Sequence, residues 1–230
     1  MGLSYNPSIV VDGLQYALDV ANPKCYSGSG NTTFDLTGRV LPGVLTNGPT
    51  YNSNLGGFLS FDGTNDYIDC GNFSDNLSNF TVAAWVKTTS SVMQMVVAKL
   101  VNYSSGAGWA LFLHPTLGIS IVLQTNGSVW IVYSSNKRIN DNSWHYISAV
   151  INNKIVTAFY VDGISYPVTS QGQGTVTNYS NVINVRIARN EANEYIFQGD
   201  ISQAHLYSKS LSAAEILQNY NANRGRYLYN

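Results

Sequence analysis

FLSFDGTNDYIDCGNFSDNLSNFTVAAWV, residues 58–86, is the stretch that decides the fold. Residues 58–61 and 67–70 are short apolar runs with β-forming residues, separated by Asp62-Gly63-Thr64-Asn65-Asp66. The Asp-Gly pair supplies the turn residues of a hairpin, so the two runs are expected to pair with each other. Residues 80–87 then alternate strictly. Phe80, Val82, Ala84 and Val86 face one way and Ala83 and Trp85 the other. Both faces are apolar, which places this strand in the middle of a sheet.

Upstream, residues 14–20 read as a half-buried strand with Leu14, Tyr16 and Leu18 on one face. Asn22-Pro23-Lys24 and Ser27-Gly28-Ser29-Gly30 break regularity, 34–38 return the chain, and 43–45 and Tyr51 supply edge pieces. Downstream, strands are expected at 92–100, 109–113, 119–123 and 129–133. The last two are joined by Asn126-Gly127, a pair that accepts positive φ at both turn positions. Residues 144–151 and 155–161 form another hairpin, Asp162-Gly163 turns into 164–168, 172–179 is a polar loop, and 182–188 and 201–207 end the strands. One stretch is helical. Ser212 and Glu215 form a capping box, Leu211 and Ile216 have the spacing of a hydrophobic staple, and Ile216, Leu217 and Tyr220 make the apolar stripe. Gly225 is the expected stop. With no linker and no internal repeat, residues 1–230 are expected to form one domain.

Composition agrees. Of 230 residues, 44% are hydrophobic and only 11% charged, against about 25% in an average globular chain. Asn, Ser, Thr, Gly and Tyr provide the polar surface instead, an all-β composition. Twelve Lys and Arg balance thirteen Asp and Glu, and the longest basic cluster is Lys137-Arg138. A protein that tracks phosphates needs clustered cations, so nucleic acid is not an expected partner. Few charges need desolvation when such a surface is covered, which favours assembly, with other proteins or as a homo-oligomer. No run approaches the ~18 apolar residues of a membrane span, and Met1–Tyr5 does not open a signal peptide. Cys25 and Cys70, the only cysteines, are accordingly expected as reduced thiols.

The motifs GLQYALD (13–19), FDLTG (34–38), FDGTNDY (61–67), FTVAAWV (80–86), WHYI (144–147), FYVDG (159–163), FQGDI (197–201) and LSAAEI (211–216) follow in an order that spans nearly the whole chain. In that order they resemble the laminin-G/concanavalin-A-like lectin–glucanase superfamily in its short jelly-roll form. The resemblance implies an all-β fold, an antiparallel two-sheet β-sandwich closed by one short C-terminal helix. The opening Leu18-Asp19 with Asn22-Pro23-Lys24-Cys25-Tyr26, and the ending EILQNYNA (215–222), are similar to versions carried by tailed bacteriophages as virion proteins. That implies a location on the virion surface, with capsid or fibre proteins as partners and host-surface carbohydrate as a further one. The family pattern has acidic residues where this chain has Ser202 and Gln203, which removes support for a metal or polar network there.

Glucanases of this fold carry a Glu-x-Asp-x-x-Glu strand, because retention needs two carboxylates about 5–5.5 Å apart across the scissile bond. This chain has three glutamates. Glu191 and Glu194 are an odd offset apart and would lie on opposite faces of a strand, and Glu215 is a cap. His114, His145 and His205 are scattered, and no Gly-x-Ser-x-Gly occurs. The chain is therefore expected to be non-enzymatic, without a cofactor; a stand-alone lectin is the alternative and a glycoside hydrolase a distant one. Asp62, Asn65 and Asp66 offer oxygens suited to Ca²⁺, but Asp-Gly is also ordinary turn chemistry, and no metal site is assigned. For stacking on sugars or partners, Trp109, Trp130, Tyr103 and Tyr133 are the candidates, near turns or strand ends, whereas Trp85 and Trp144 are assigned to the core.

Overall fold

The structure, a computed structural model, describes residues 8–73, 77–104, 106–126 and 129–228. Its first strands are β1 (Leu14–Asp19), β2 (Thr32–Thr33), β3 (Gly43–Thr46), β4 (Thr50–Asn52), β5 (Phe58–Asp62) and β6 (Tyr67–Asp69). The middle of the chain forms β7 (Phe80–Lys87), β8 (Gln94–Leu100), β9 (Gly108–His114), β10 (Gly118–Asn126) and β11 (Val129–Ser134). Then come β12 (His145–Asn152), β13 (Ile155–Val161), β14 (Ile164–Tyr166), β15 (Thr169–Gln173), β16 (Arg186–Ile187), β17 (Gln198–Tyr207) and helix α1 (Ala213–Leu228).

The strands form two antiparallel sheets. One runs β14-β13-β12-β7-β17-β5-β4 with β1 beside β17, and the other β15-β11-β10-β9-β8-β16-β6-β3-β2. β7 is central, as its two apolar faces require. Phe80, Val82, Ala84 and Val86 enter the core between the sheets, while Ala83 and Trp85 meet a second cluster on the outer face. β17 is the spine of the eight-stranded sheet. One of its edges pairs with β7, and β5 and β1 share the other.

The expected hairpin of 58–61 with 67–70 does not form. β5 pairs with β4 and β17 in one sheet, and β6 with β3 and β16 in the other. The Asp62–Asp66 link carries the chain across the sandwich, so Leu59 and Phe61 enter the core from one side and Ile68 from the other. An Asp-Gly turn specifies a reversal of direction, not the sheet in which the returning segment finds its partner. In β1 a bulge between Leu14 and Tyr16 moves Leu14 to the outer cluster with Ala17, leaving Tyr16 and Leu18 in the core. The expected polar loop begins later than predicted, because Thr169–Gln173 pairs along β11 as an exposed edge strand. Of the expected strand at 182–188 only Arg186–Ile187 pairs. β10 and β11 pair as the Asn126-Gly127 signal predicts, through Asn126 opposite Val129; Gly127 and Ser128 lie outside the described residues.

The capping box of α1 is formed. Ser212 N–H donates to Glu215 Oε2 at 2.8 Å and Glu215 N–H to Ser212 Oγ at 3.3 Å, with Leu211 and Ile216 buried beside it. The helix nevertheless continues through Gly225, and tertiary contacts explain why. Tyr227 stacks on Trp85 with ring centroids 4.2 Å apart and lies 5.0 Å from Trp144. Arg226 donates from both terminal nitrogens to Asp19 at 3.0–3.1 Å. Packing by the two residues that follow this glycine outweighs its helix penalty of about 1 kcal/mol. Trp85 and Trp144 are buried, in the outer cluster beneath this helix.

Cys25 and Cys70 are buried free thiols, with Tyr16 Oη 3.3 Å from Cys70 Sγ. Burial pushes their pKa values up to about 11 and about 12. No described helix is long and apolar enough to cross a membrane.

Candidate functional site

Two of the four candidate aromatics are core. On β9, Leu111 and Leu113 point inward, and the strand period of two sends Trp109 with them. Trp109 is 2% exposed and its ring lies 5.4 Å from that of Phe80. Tyr133 is likewise inward on β11, at 6% exposure. Nearness to a turn had suggested a surface role for both, but face is set by alternation, and theirs is the interior.

Tyr103 and Trp130 are half-buried, on the outer face of the nine-stranded sheet. That face is built in transverse rows. Leu100, Gly108, Gln124, Trp130 and Gln173 form one row across β8-β9-β10-β11-β15, and Ala98, Ala110, Val122, Val132 and Gln171 the next. Tyr103 packs against this cluster, where its ring meets Phe112 edge-on at 5.8 Å and Tyr195 at 5.7 Å. Tyr195, 40% exposed, was not singled out by the sequence. It sits in a loop at φ 53°, and its carbonyl accepts the Met95 N–H at 2.6 Å. Gln124 was also missed. Alternation from the inward Leu123 places it on this face, where it is fully buried with neither amide atom hydrogen-bonded. Across four strands at about 4.8 Å each, the row from Leu100 to Trp130 spans about 14 Å.

The face is held by Glu194, which accepts Tyr103 N–H at 2.9 Å and Asn190 Nδ2–H at 2.8 Å, fastening the loop after β8 to the loop after β16. Glu191 pairs with Arg186 at 2.5 Å, and Glu215 caps α1 while accepting Lys209 at 2.9 Å. All three glutamates thus hold structure together. His114 Nδ1 accepts the N–H groups of Thr116 and Leu117, each at 3.2 Å. His145 lies between Asp162 at 2.7 Å and Asp141 at 3.1 Å. Burial lowers its pKa, but the hydrogen bonds and charges of Asp162 and Asp141 outweigh burial and raise it overall.

The Asp62–Asp66 link is turn chemistry in detail. Asp62 Oδ1 accepts Thr64 N–H at 2.7 Å, and Asp66 Oδ2 accepts Asp62 N–H at 3.1 Å. Burial raises the pKa of Asp66. Among the described residues no three His, Cys, Asp or Glu side chains converge as metal ligands would. At the two departures from the family pattern, Ser202 Oγ donates to Gly57 O at 2.7 Å and accepts Tyr227 Oη–H at 2.9 Å. Gln203 Nε2 donates to Asn223 Oδ1 at 3.1 Å.

Comparison with solved structures finds the same fold in several settings. Domain 4 of AbnA, a GH43 extracellular arabinanase from Geobacillus stearothermophilus, in complex with arabinotriose, superposes with a TM-score of 0.70 at 15% identity, over 90% of this chain and 98% of that one. The botulinum neurotoxin serotype D ligand binding domain in complex with N-acetylneuraminic acid gives 0.64 at 18% identity, over 91% of this chain and 50% of that one. Trypanosoma rangeli sialidase gives 0.60 at 11% identity, over 96% and 34%. The chain thus spans nearly all of the arabinanase domain, half of the toxin domain and a third of the sialidase. No curated protein matches the sequence significantly. The Laminin_G_3 family model matches residues 62–217, from the sandwich-crossing link to the second turn of α1. With two thirds of its length inside that match, the chain belongs to the concanavalin A-like lectin/glucanases superfamily.

Proposed function

We propose that this chain is a non-catalytic, lectin-type module that a tailed bacteriophage displays on its virion, and that it grips host-surface glycan through the outer face of its nine-stranded sheet. The observation that carries the glycan reading is a set of half-exposed rings over an apolar floor: Tyr103 with Tyr195 toward the β9 side, and Trp130 toward the β15 side, where Gln173 lies opposite it. Aromatic faces stack on the C–H faces of sugars while amides bond their hydroxyls. The arabinotriose complex of a similarly folded domain supports the ligand class. The virion reading is supported by the phage-like terminal motifs and by the low charge, which eases burial against capsid or fibre proteins and against further copies of the chain. The structural employment of all three glutamates supports a non-catalytic role.

A glycan array probed with the folded protein, followed by titration of the best hit, tests the first half. Tyr103→Ala and Trp130→Ala should each weaken binding by about tenfold, the equivalent of one lost stacking contact of about 1.4 kcal/mol. Binding that both variants leave intact refutes the face. Mass spectrometry of purified particles tests the second half, and particles without this chain refute it.

A further inference from the structure

On the opposite side of the sandwich, a groove of about 510 Å³ opens between β1, β17, helix α1 and the loop at 34–39. This is within the size range of small-molecule sites. Its floor is formed by the outward-facing residues of β17. Gln203 is 1% exposed and His205 3% exposed, and both line the cavity. Gln203 Oε1 and His205 Nδ1 are buried with no hydrogen-bond partner. Leaving such a group unsatisfied costs about 1–3 kcal/mol, so two on one strand need explaining. His205 lies opposite Ala17 on β1 and Ala83 on β7, so neither neighbouring strand sets more than a methyl beside the imidazole. Of these two, Ala17 lines the groove, and its methyl leaves the space beside the imidazole open.

The electrostatics of the groove are neutral where a ligand would be deepest. Burial, with the Arg226 charge second, lowers the His205 pKa to about 4, so the ring is uncharged at neutral pH, with one nitrogen donating and the other accepting. Asp19, also on the wall, is matched by Arg226. Leu14 and Leu36 supply apolar walls, and Arg39 stands exposed at the mouth. An ion bound on the floor would find no opposite charge there, whereas a hydroxyl can donate to Gln203 Oε1 and either donate to or accept from His205. The two residues are two apart on one strand, about 6.6 Å along it.

We propose that this groove is a second binding site, for an uncharged polyhydroxylated ligand of mono- to disaccharide size, whose hydroxyl groups complete the hydrogen bonding of Gln203 Oε1 and His205 Nδ1. It is independent of the aromatic face on the other sheet. The test is titration of the full chain with D-glucose, D-galactose, D-mannose, L-rhamnose, N-acetylglucosamine and their common disaccharides, each to about 50 mM, well above a millimolar Kd. The side-chain ¹⁵N resonances of His205 and Gln203 are followed by NMR. At least one sugar should shift both saturably, and Gln203→Leu should weaken that response at least tenfold. Ala222→Trp, on the α1 side of the groove lining, fills the groove, and it keeps the test decisive if Gln203→Leu disturbs folding. Tyr103→Ala combined with Trp130→Ala should leave the response unchanged, which separates this site from the aromatic face. No saturable shift with any sugar, a response that survives Ala222→Trp, or a response to sodium phosphate alone through Arg39 overturns the proposal.

Discussion

Truncating Tyr227 to alanine tests the main disagreement between the local sequence signal and the fold, namely whether the helix ends at Gly225 or runs on to dock. The ring is 8% exposed and stacks on Trp85 at 4.2 Å and against Trp144 at 5.0 Å. Its hydroxyl donates to Ser202 Oγ at 2.9 Å and lies 3.0 Å from Arg226 Nη1. Removing a buried aromatic ring costs about 3–5 kcal/mol through lost transfer energy and the cavity left behind. Two ring contacts at this site place the value near the middle, about 4 kcal/mol. Tyr227→Phe keeps the ring and loses only the hydroxyl, at about 1 kcal/mol, since Ser202 Oγ retains its bond to Gly57 O. Equilibrium urea unfolding measures both, and for a chain of this length the alanine variant should melt about 10 °C lower. If Tyr227→Ala costs less than about 1 kcal/mol, the last turn of α1 does not dock and the glycine stop read from the sequence was right.

Other predictions follow from single sites. As pH falls, the unfolded chain protonates His205 near its ordinary 6.5 while the folded chain holds it neutral to about 4. The unfolded state therefore gains the proton first, and stability should drop by about 3 kcal/mol between pH 6.5 and 4. His205→Gln should flatten that part of the urea-midpoint profile, and an identical slope in both proteins refutes it. Gly118 has φ 71°, and a Cβ there would lie 2.2 Å from the Lys137 carbonyl oxygen, so Gly118→Ala should cost at least about 2 kcal/mol by thermal unfolding. Cys25 and Cys70, buried with raised pKa values, should resist a maleimide at neutral pH and react only on unfolding; rapid labelling of the native protein refutes their placement.

Much of the fold was legible because its signals are periodic. The alternation of residues 80–87 assigned both faces of β7 correctly, and the Ser212–Glu215 capping box fixed the start of α1. Pairing was not legible where it depends on the sheet to which a strand returns. Asp62-Gly63 reads the same whether the chain folds back in a hairpin or crosses to the facing sheet. The bulge in β1 leaves no mark in the sequence, yet it moves Leu14 to the other face. The site was half legible for the same reason. Trp130 lies on the outer face and Trp109 in the core because of strand phase, which nearness to a turn does not report. Gln124 was recoverable from that phase. Tyr195 was not, since a loop at positive φ carries no periodicity.

β17 connects these observations. Its inward residues Ile201, Ala204 and Leu206 belong to the shared core. Its outward residues decide what the helical side of the sandwich can hold. Acids at positions 202 and 203 would set two negative charges beside Asp19, and burial already raises the Asp19 pKa despite the Arg226 charge. Serine and glutamine remove that conflict. Ser202 becomes a link between Gly57 and Tyr227, which lets the last turn of α1 settle on Trp85, and Gln203 becomes a neutral groove floor with an acceptor left over. Serine and glutamine at these two positions thus go with a docked helix and a neutral recess. Restoring an acid with Gln203→Glu should therefore weaken both at once: it should loosen the Arg226–Asp19 pair by competing for the guanidinium, lower stability at neutral pH, and restore part of it as the new carboxylate protonates in acid.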